Sequence, residues 1–509
     1  MKIINSNLSS LEQKLVSIPR YDRSKIKPGI VHIGPSHFAR GHIFQFVDRV
    51  LETDPNWGIR AISLKSPATK RALQKQDYLY SLTENGIKDR QVSVIGSLID
   101  ITVAQEDPNA ALDVLSDPNI KVVFITVTQD GYGHNPTTGN LDFERTDIQA
   151  CLSSMDEPST TVGYLVAALA RRYEQGAPPL TIMSCDNMPA NGTILRNVVL
   201  AYAAEKSSEL RRYIEDKITF PSTMVDRIVP TTNNNQSDFN LSSRGIEDSW
   251  PIGTEQFKQW VIENNFAGDM PDLASAGATI AQNVEPFEFM KLRMLNGAHM
   301  ALGCVAGLAG YKFVHEAMED ERLQRFVDGF ITEAASTVPD IQGVDFSLYQ
   351  QNLVKRLKNP HIKDELVRLA RNGTQKMNGR ILDTIRDAKS AGRSHRFLAF
   401  ATAAWIQYLK GQDDQGNTIE INDENAVSSG LQRIARNSNG SPEPVMAASG
   451  LFDTSLMKGE EFVGMVRKSL RDIQNSPGGT LGAVQNIDVL VDSSRQAIPA
   501  YSQSGYNAS

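Results

Sequence analysis

Short apolar runs alternate with longer stretches of helical periodicity through the first half of the chain. "GIVHIG" (Gly29 to Gly34) and "GIRAISL" (Gly58 to Leu64) are compact strand candidates, followed by the helical stretches "HIFQFVDRVLE" and "TKRALQKQD". "QVSVIGSL", "KVVFITVT" and "LTIMSCD" continue the series, with the helical "TVGYLVAALARRYEQ" between the last two. Strand–helix alternation of this kind predicts a mostly parallel sheet covered on both faces. Ligands of such sheets bind where the carboxyl ends of the strands turn into helices.

From about Glu285 the pattern changes to long helices. "PFEFMKLRMLNGAHMALGCVAGLAG", "DERLQRFVDGFITEAAS", "KDELVRLARNG", "RFLAFATAAWIQYLKG" and "EFVGMVRKSLRDIQ" all carry the helical period. The polar "TTNNNQSDFN" (Thr231 to Asn240) reads as a loop, and no internal repeat is evident. The organisation expected is an α/β, Rossmann-like nucleotide-binding domain over residues 1–285 and a largely α-helical substrate and catalytic domain over 286–492. The tail, 493–509, lacks apolar periodicity and reads as disordered.

Composition narrows the function classes. The 509 residues are 40% hydrophobic and 22% charged, enough to bury a sizeable core in two or more domains. With 52 basic against 59 acidic side chains and no basic stripe, nucleic acid is not an expected partner. Cys151, Cys185 and Cys304 have neither CxxC nor Cys/His spacing, so neither a disulfide framework nor a structural zinc site is expected. No apolar run reaches the length of a membrane span and the N-terminus lacks a cleavage signal, which makes the cytoplasm the default location.

"FEFMKLRMLNGAHMALG" (Phe287 to Gly303) places Lys291, Asn296 and His299 among residues that suit burial. At about 100° per residue, Asn296 falls roughly 140° and His299 roughly 80° round from Lys291, all on one broad side. A partly buried lysine loses some of its preference for the charged form and becomes a usable base for an alcohol. An asparagine amide can donate to an oxygen gathering negative charge, and a histidine can orient a hydroxyl. A snorkelling edge lysine beside two internally satisfied polar residues is the competing reading.

"VHIGPSHFARGH" puts Gly34 between a strand and a helix, the geometry a dinucleotide fold needs, although Ser36 and Ala39 stand at the second and third glycine positions. An ordinary strand-to-helix turn is the alternative. After the second strand, "ISLKSPATKR" offers no acid for the adenosine ribose of NAD. Lys65 and Ser66 would instead suit the 2′-phosphate of NADP, unless Lys65 is a solvated surface lysine.

"KLRMLNGAH" fits the Lys-x4-Asn-x2-His signature of the polyol-specific long-chain dehydrogenases/reductases, and the chain resembles that family, its mannitol dehydrogenases above all. "QDYLYSL", "TIMSCDNMPANG", "MVDRIVP", "DSWPIGTEQFKQWVIE", "GYKFVHEAM" and "AAWIQYLKG" carry the likeness over most of the chain. The resemblance implies a metal-independent, monomeric enzyme. It would interconvert a small-molecule polyol and its ketose, D-mannitol and D-fructose, by hydride transfer to NAD or NADP, in a cleft between the domains. Lys291 would be the general acid/base, Asn187 and Asn296 the oxyanion hole, and His299 the group orienting substrate. Asp226, Arg368 and Lys376 would contact further hydroxyls, and Gly34, Ser36, Phe38, Arg40 and Lys65 would serve the cofactor. Asp226 as a sheet-edge ion pair, and the two basic residues as a solvated helix face, are the plain alternatives. Glu288, one turn before Lys291, would tune its charge, open a proton route or form a simple ion pair.

The chain departs from the family pattern in three places. "GPSHFARGH" replaces "GVGGFHRAH", "TVTQDGY" replaces "TITEGGY" so that Gln129 stands where a glutamate would touch substrate, and the NAD-selecting acid is missing near Lys65. A hexuronate reductase acting on fructuronate or tagaturonate is the rival of the same family, with Arg368, Lys376 and Arg371 as cations for a carboxylate. A catalytically dead sensor would have no reason to keep Lys291, Asn187, Asn296 and His299 together.

Overall fold

The computed structural model describes all residues except 13–15, 155–156, 231–233, 459 and 488–509, so the tail expected over 493–509 lies outside the described residues. Twelve strands are found among the described residues: β1 (Pro28–Ile33), β2 (Gly58–Ser63), β3 (Tyr80–Asn85), β4 (Arg90–Ile95), β5 (Leu98–Val103), β6 (Val122–Ile125), β7 (Leu180–Ser184), β8 (Ile218–Thr219), β9 (Thr223–Asp226), β10 (Ile252–Glu255), β11 (Gln259–Glu263) and β12 (Thr279–Ala281). Six form one sheet in the order β5-β2-β1-β6-β7-β8, every neighbouring pair parallel. The other six form two three-stranded sheets, β10-β3-β4 and β12-β11-β9.

Because successive side chains of a strand point to opposite faces, a strand buried on both sides must be apolar throughout. β6 shows this: Val123 and Ile125 enter one core cluster while Val122 and Phe124 enter the other. The helix Thr161–Glu174 covers the first face, and Ile43–Val50 covers the second.

Sequence and structure part company at "QVSVIGSL". Its apolar positions alternate, and Val92 and Val94 pack with Ile3, Leu11 and Val16 in a small separate core beside the β3–β4 hairpin. The parallel sheet takes the next segment, "LIDITV", as its edge strand β5, whose Asp100 and Thr102 disguise it. The stretch expected as a polar loop is helical from Asn234 to Arg244. "KDELVRLARNG" gives only a short helix, Leu366–Ala370, which ends before Asn372 takes a left-handed conformation (φ +52°).

The chain divides into two compact units. The first comprises Met1–Asn296, Phe313–Glu316 and Val338–Asp364, so the division falls at 296/297 and a late segment returns to the first unit. In the second unit, Gly303 lets the helix Gly297–Leu308 approach Leu366, Leu369 and Ala370 closely, since an added Cβ would lie 3.0 Å from the Ala370 nitrogen. Glu333 closes the start of the helix Arg396–Tyr408 by accepting from the Arg396 and Leu398 amides at 2.7 and 3.0 Å.

One fully buried cation holds the loops at the amino ends of β6 and β7. Arg172 donates to the carbonyls of Asp117, Ile120 and Pro178 at 2.7, 3.3 and 2.8 Å. Arg172→Ala removes three bonds and leaves the buried Ile120 carbonyl without its donor, and urea unfolding is expected to show a loss on the order of 2 kcal/mol.

Candidate active site

The turn after β1 is built for close approach. Gly34 has φ +85°, and a Cβ there would lie 2.2 Å from the Thr126 carbonyl oxygen. Thr126 Oγ1 donates to the Gly34 carbonyl at 2.6 Å, while His32 Nε2 stands 3.0 Å and Ser36 Oγ 3.3 Å from the same hydroxyl. Burial pushes the pKa of His32 down to about 3, so the ring is neutral. Ser36, exposed where a second glycine is usual, accepts from the Ala39 amide at 3.1 Å and caps the following helical turn. β1 and β6 are neighbours from which the strand order runs outward in opposite directions, so their carboxyl ends flank the crevice where dinucleotides bind in such sheets. Gly34, Ser36 and the exposed Lys65 just past β2 fit a nucleotide there.

Two other residues expected to serve the cofactor also make packing contacts. Arg40 is 1% exposed, donates to the Trp250 carbonyl at 3.0 Å and lies 5.6 Å over the Tyr80 ring. Phe38 packs against the core with its ring 5.2 Å from that of His42.

Lys291 opens a π-helical turn, Lys291–Asn296, set between the helices Glu285–Met290 and Gly297–Leu308. The α-helical projection therefore does not apply. Where hydrogen bonds run i→i+5, residues five apart stand one turn apart, which is the spacing of Lys291 and Asn296. The lysine is 9% exposed, and its ammonium donates to Asn187 Oδ1 and to the Val225 carbonyl, both at 2.5 Å. Asn187 follows β7, and Val225 lies in β9.

The strand ends that carry these acceptors are tied together. Asn191 is fully buried; its amide donates to the carbonyls of Asp186 (3.1 Å) and Thr223 (2.9 Å) and accepts from the Thr223 amide (2.9 Å). The Asp186 carboxylate receives the amides of Val127 and Thr128 at 2.9 and 3.1 Å and the Tyr132 hydroxyl at 2.7 Å. It thereby anchors the exposed turn that carries Gln129. Asp226, at the end of β9, has both carboxylate oxygens on Arg356, at 2.8 and 2.9 Å. Asp186 stood in view inside "SCDN"; Arg356 and the Val225 carbonyl had no signal in the sequence.

In the second unit, His299 is 7% exposed. Lys376 is half-buried, and burial together with Arg380, Arg368 and Arg371 pushes its pKa down to about 8. Among the described residues no cluster of three or more His, Cys, Asp or Glu is gathered as metal ligands, and no helix is long and apolar enough to cross a membrane.

Residues 28–275 match the mannitol dehydrogenase Rossmann domain and residues 283–474 the mannitol dehydrogenase C-terminal domain. The chain belongs to the mannitol dehydrogenase family. The mannitol 2-dehydrogenase of Neosartorya fischeri is 37% identical over 487 residues, covering 93% of this chain and 97% of that one. Mannitol dehydrogenase 2 of Saccharomyces cerevisiae is 34% identical, with 94% and 96% covered. Among solved structures, a D-sorbitol dehydrogenase in substrate-free form superposes with a TM-score of 0.87 at 33% identity, over 95% of this chain and 100% of that one. The Pseudomonas fluorescens mannitol 2-dehydrogenase, in ternary complex with NAD and D-mannitol, gives 0.82 at 32% identity, over 95% and 99%.

Within this mannitol dehydrogenase family member, Glu288 lies one turn before Lys291 and feels its charge. Its two carboxylate oxygens accept from the Ala190 amide at 3.1 and 3.2 Å, at the start of the helix Asn191–Ala204. Burial pushes its pKa up to about 7 from the usual 4.5, against the Ala190 bond and the Lys291 charge. A carboxyl with a raised folded-state pKa keeps a proton that the unfolded chain releases, so its contribution to stability falls as pH rises from about 4.5 to about 7. Glu288→Gln, neutral at every pH, is expected to gain on the wild type between pH 5 and pH 8 in denaturation midpoint.

Proposed function

We propose that this polyol dehydrogenase interconverts D-mannitol and D-fructose with NAD, using Lys291 as general acid/base and no metal. The observation that carries the reading is the Lys291 ammonium, buried and held by two neutral oxygens, Asn187 Oδ1 and the Val225 carbonyl. In its neutral form an amine so placed takes the proton of a secondary alcohol. With Oδ1 committed to the lysine, the Nδ2 hydrogens are what Asn187 can offer a developing alkoxide. Asn296 supplies the second amide, and the pair stabilises the alkoxide more than the alcohol. In the reverse direction the same amides polarise the ketone, and the ammonium returns the proton. NAD, when bound, supplies the acceptor for the hydride leaving the carbinol carbon; Gly34 and Ser36 would hold it, and Lys65 would also admit NADP.

His299 orients the substrate, and Asp226, Arg368, Lys376 and Gln129 contact its remaining hydroxyls. These roles rest on the family pattern, as does action as a monomer; a cytoplasmic location is the default reading of the sequence. The four cations Arg368, Arg371, Lys376 and Arg380 favour a second reading, a hexuronate reductase with the same chemistry and an anionic substrate.

Lys291→Ala is expected to lower kcat at least about 100-fold while NADH still binds with unchanged affinity, measured by titration of its nicotinamide fluorescence. A variant keeping more than about a tenth of the turnover is incompatible with the lysine as base. Turnover of mannitol, fructose and fructuronate with NAD and NADP, followed at the nicotinamide absorbance, decides the substrate. Fructose is expected to exceed fructuronate in kcat/KM, and the reverse order establishes the hexuronate reading.

A further inference from the structure

Arg356 sits on the helix Phe346–Leu357, in the late segment that returns to the first unit. Its side chain is 6% exposed, and those of its partners Asp226 and Glu255 are 3%. Nη1 and Nη2 fork onto Asp226 at 2.9 and 2.8 Å, while Nε and Nη2 fork onto Glu255, both at 2.8 Å. The guanidinium carbon lies 4.0 Å over the Phe257 ring centroid.

Stability alone does not explain this set. Three charges withdrawn from water carry a desolvation penalty that apolar side chains of similar volume would avoid, and such replacements are often neutral or stabilising. The position of the set is informative. Asp226 ends β9, a four-residue strand at the edge of its sheet, and Glu255 ends β10. The Glu255 carboxylate also accepts from the Ile228 amide at 2.6 Å, two residues beyond Asp226. One residue before Asp226 is Val225, whose carbonyl receives Lys291.

We propose that Arg356 is a positioning residue for the reaction: by bridging Asp226 and Glu255 it holds the end of β9, and with it the Val225 carbonyl, where that oxygen receives the Lys291 ammonium. The proposal rests on Lys291 being the base. A short edge strand has pairing on one side only, so a side-chain anchor at its end fixes what the ladder leaves loose. Displacement of a reacting group by about 1 Å is enough to cost about 100-fold in rate.

Arg356→Lys tests this, because it keeps the charge but replaces a planar fork with a single point of contact. The expected result is a fall in kcat of about 10- to 100-fold with the KM for NAD unmoved. The solvent deuterium isotope effect on kcat should grow as proton transfer to a displaced amine becomes limiting. Glu255→Gln, which leaves the Arg356–Asp226 pair balanced in charge and so spares the fold, should move both quantities in the same direction by a smaller factor. If both variants lose only thermal stability, and keep kcat and the isotope effect when assayed well below their Tm, the positioning role is overturned. Lys291→Ala separates the two ideas: turnover surviving in that variant refutes the base itself. A dead Lys291→Ala beside an Arg356→Lys with wild-type kcat refutes the positioning alone.

Discussion

The first unit depends on how a lysine ammonium is held by two neutral oxygens. Asn187 and the Val225 carbonyl reach Lys291 from different strands, one after β7 in the parallel sheet and one in β9 of a separate sheet. Both of these acceptors are neutral oxygens, so they orient the ammonium through hydrogen bonds rather than through a carboxylate's charge. The requirement this places on the fold is positional. Two sheets with different strand directions must present their ends at one point, and the Asn191 amide joining Asp186 to Thr223 is where they are tied.

Buried charge is used on the far side of the same strand. Arg227, whose side chain is fully buried, donates to Glu84, to Gln45 and to the Gly41 carbonyl, and accordingly links the residue after Asp226 to the helices that follow the glycine turn. Lys258 shares Glu84, and burial pushes its pKa down to about 8. His42 lies within this field, fully buried, its pKa driven well below the usual range first by burial and then by Arg227. Its neutral ring packs between Phe38 and Phe46 as an aromatic side chain would. The segment Val225–Arg227 thus connects the Lys291 ammonium, the bridged carboxylates and the turn expected to face a nucleotide.

How much of this was legible follows from what each feature requires. Strands buried on both faces are largely apolar, so β1, β6 and β7 stand out, and β2 keeps Ile59, Ala61 and Ile62 despite Arg60. The edge strand β5 has fewer buried positions, tolerates Asp100 and Thr102, and was passed over in favour of the apolar alternation of β4. Lys291 and Asn296 stand in the family signature and Asn187 in "SCDN", but the α-helical projection relating the first two does not fit the π-helical turn. A π-helical turn is set by how the helix packs and leaves no mark in the residue types. Arg356 was invisible for a different reason. Its partners lie 130 and 101 residues away in sequence, and a basic residue on an amphipathic helix reads as solvated until the fold shows what it covers.

Under the substrate contacts proposed for Arg368 and Lys376, the protonation of the second unit's cations bears on which substrate fits. Guanidinium groups only donate, whatever the pH in the working range. Lys376 differs, because burial and its three arginine neighbours bring its pKa to about 8, and near that pH a large share of the amine is neutral. A neutral amine both donates and accepts, which matches a hydroxyl that does the same, whereas a carboxylate offers only acceptors and is served best by a full positive charge. An anion bound there would also have to restore the proton that the arginines tend to expel. A site evolved for carboxylates gains by spacing its cations around the anion, and a lysine pushed toward neutrality by its own neighbours is a better partner for a polyol chain.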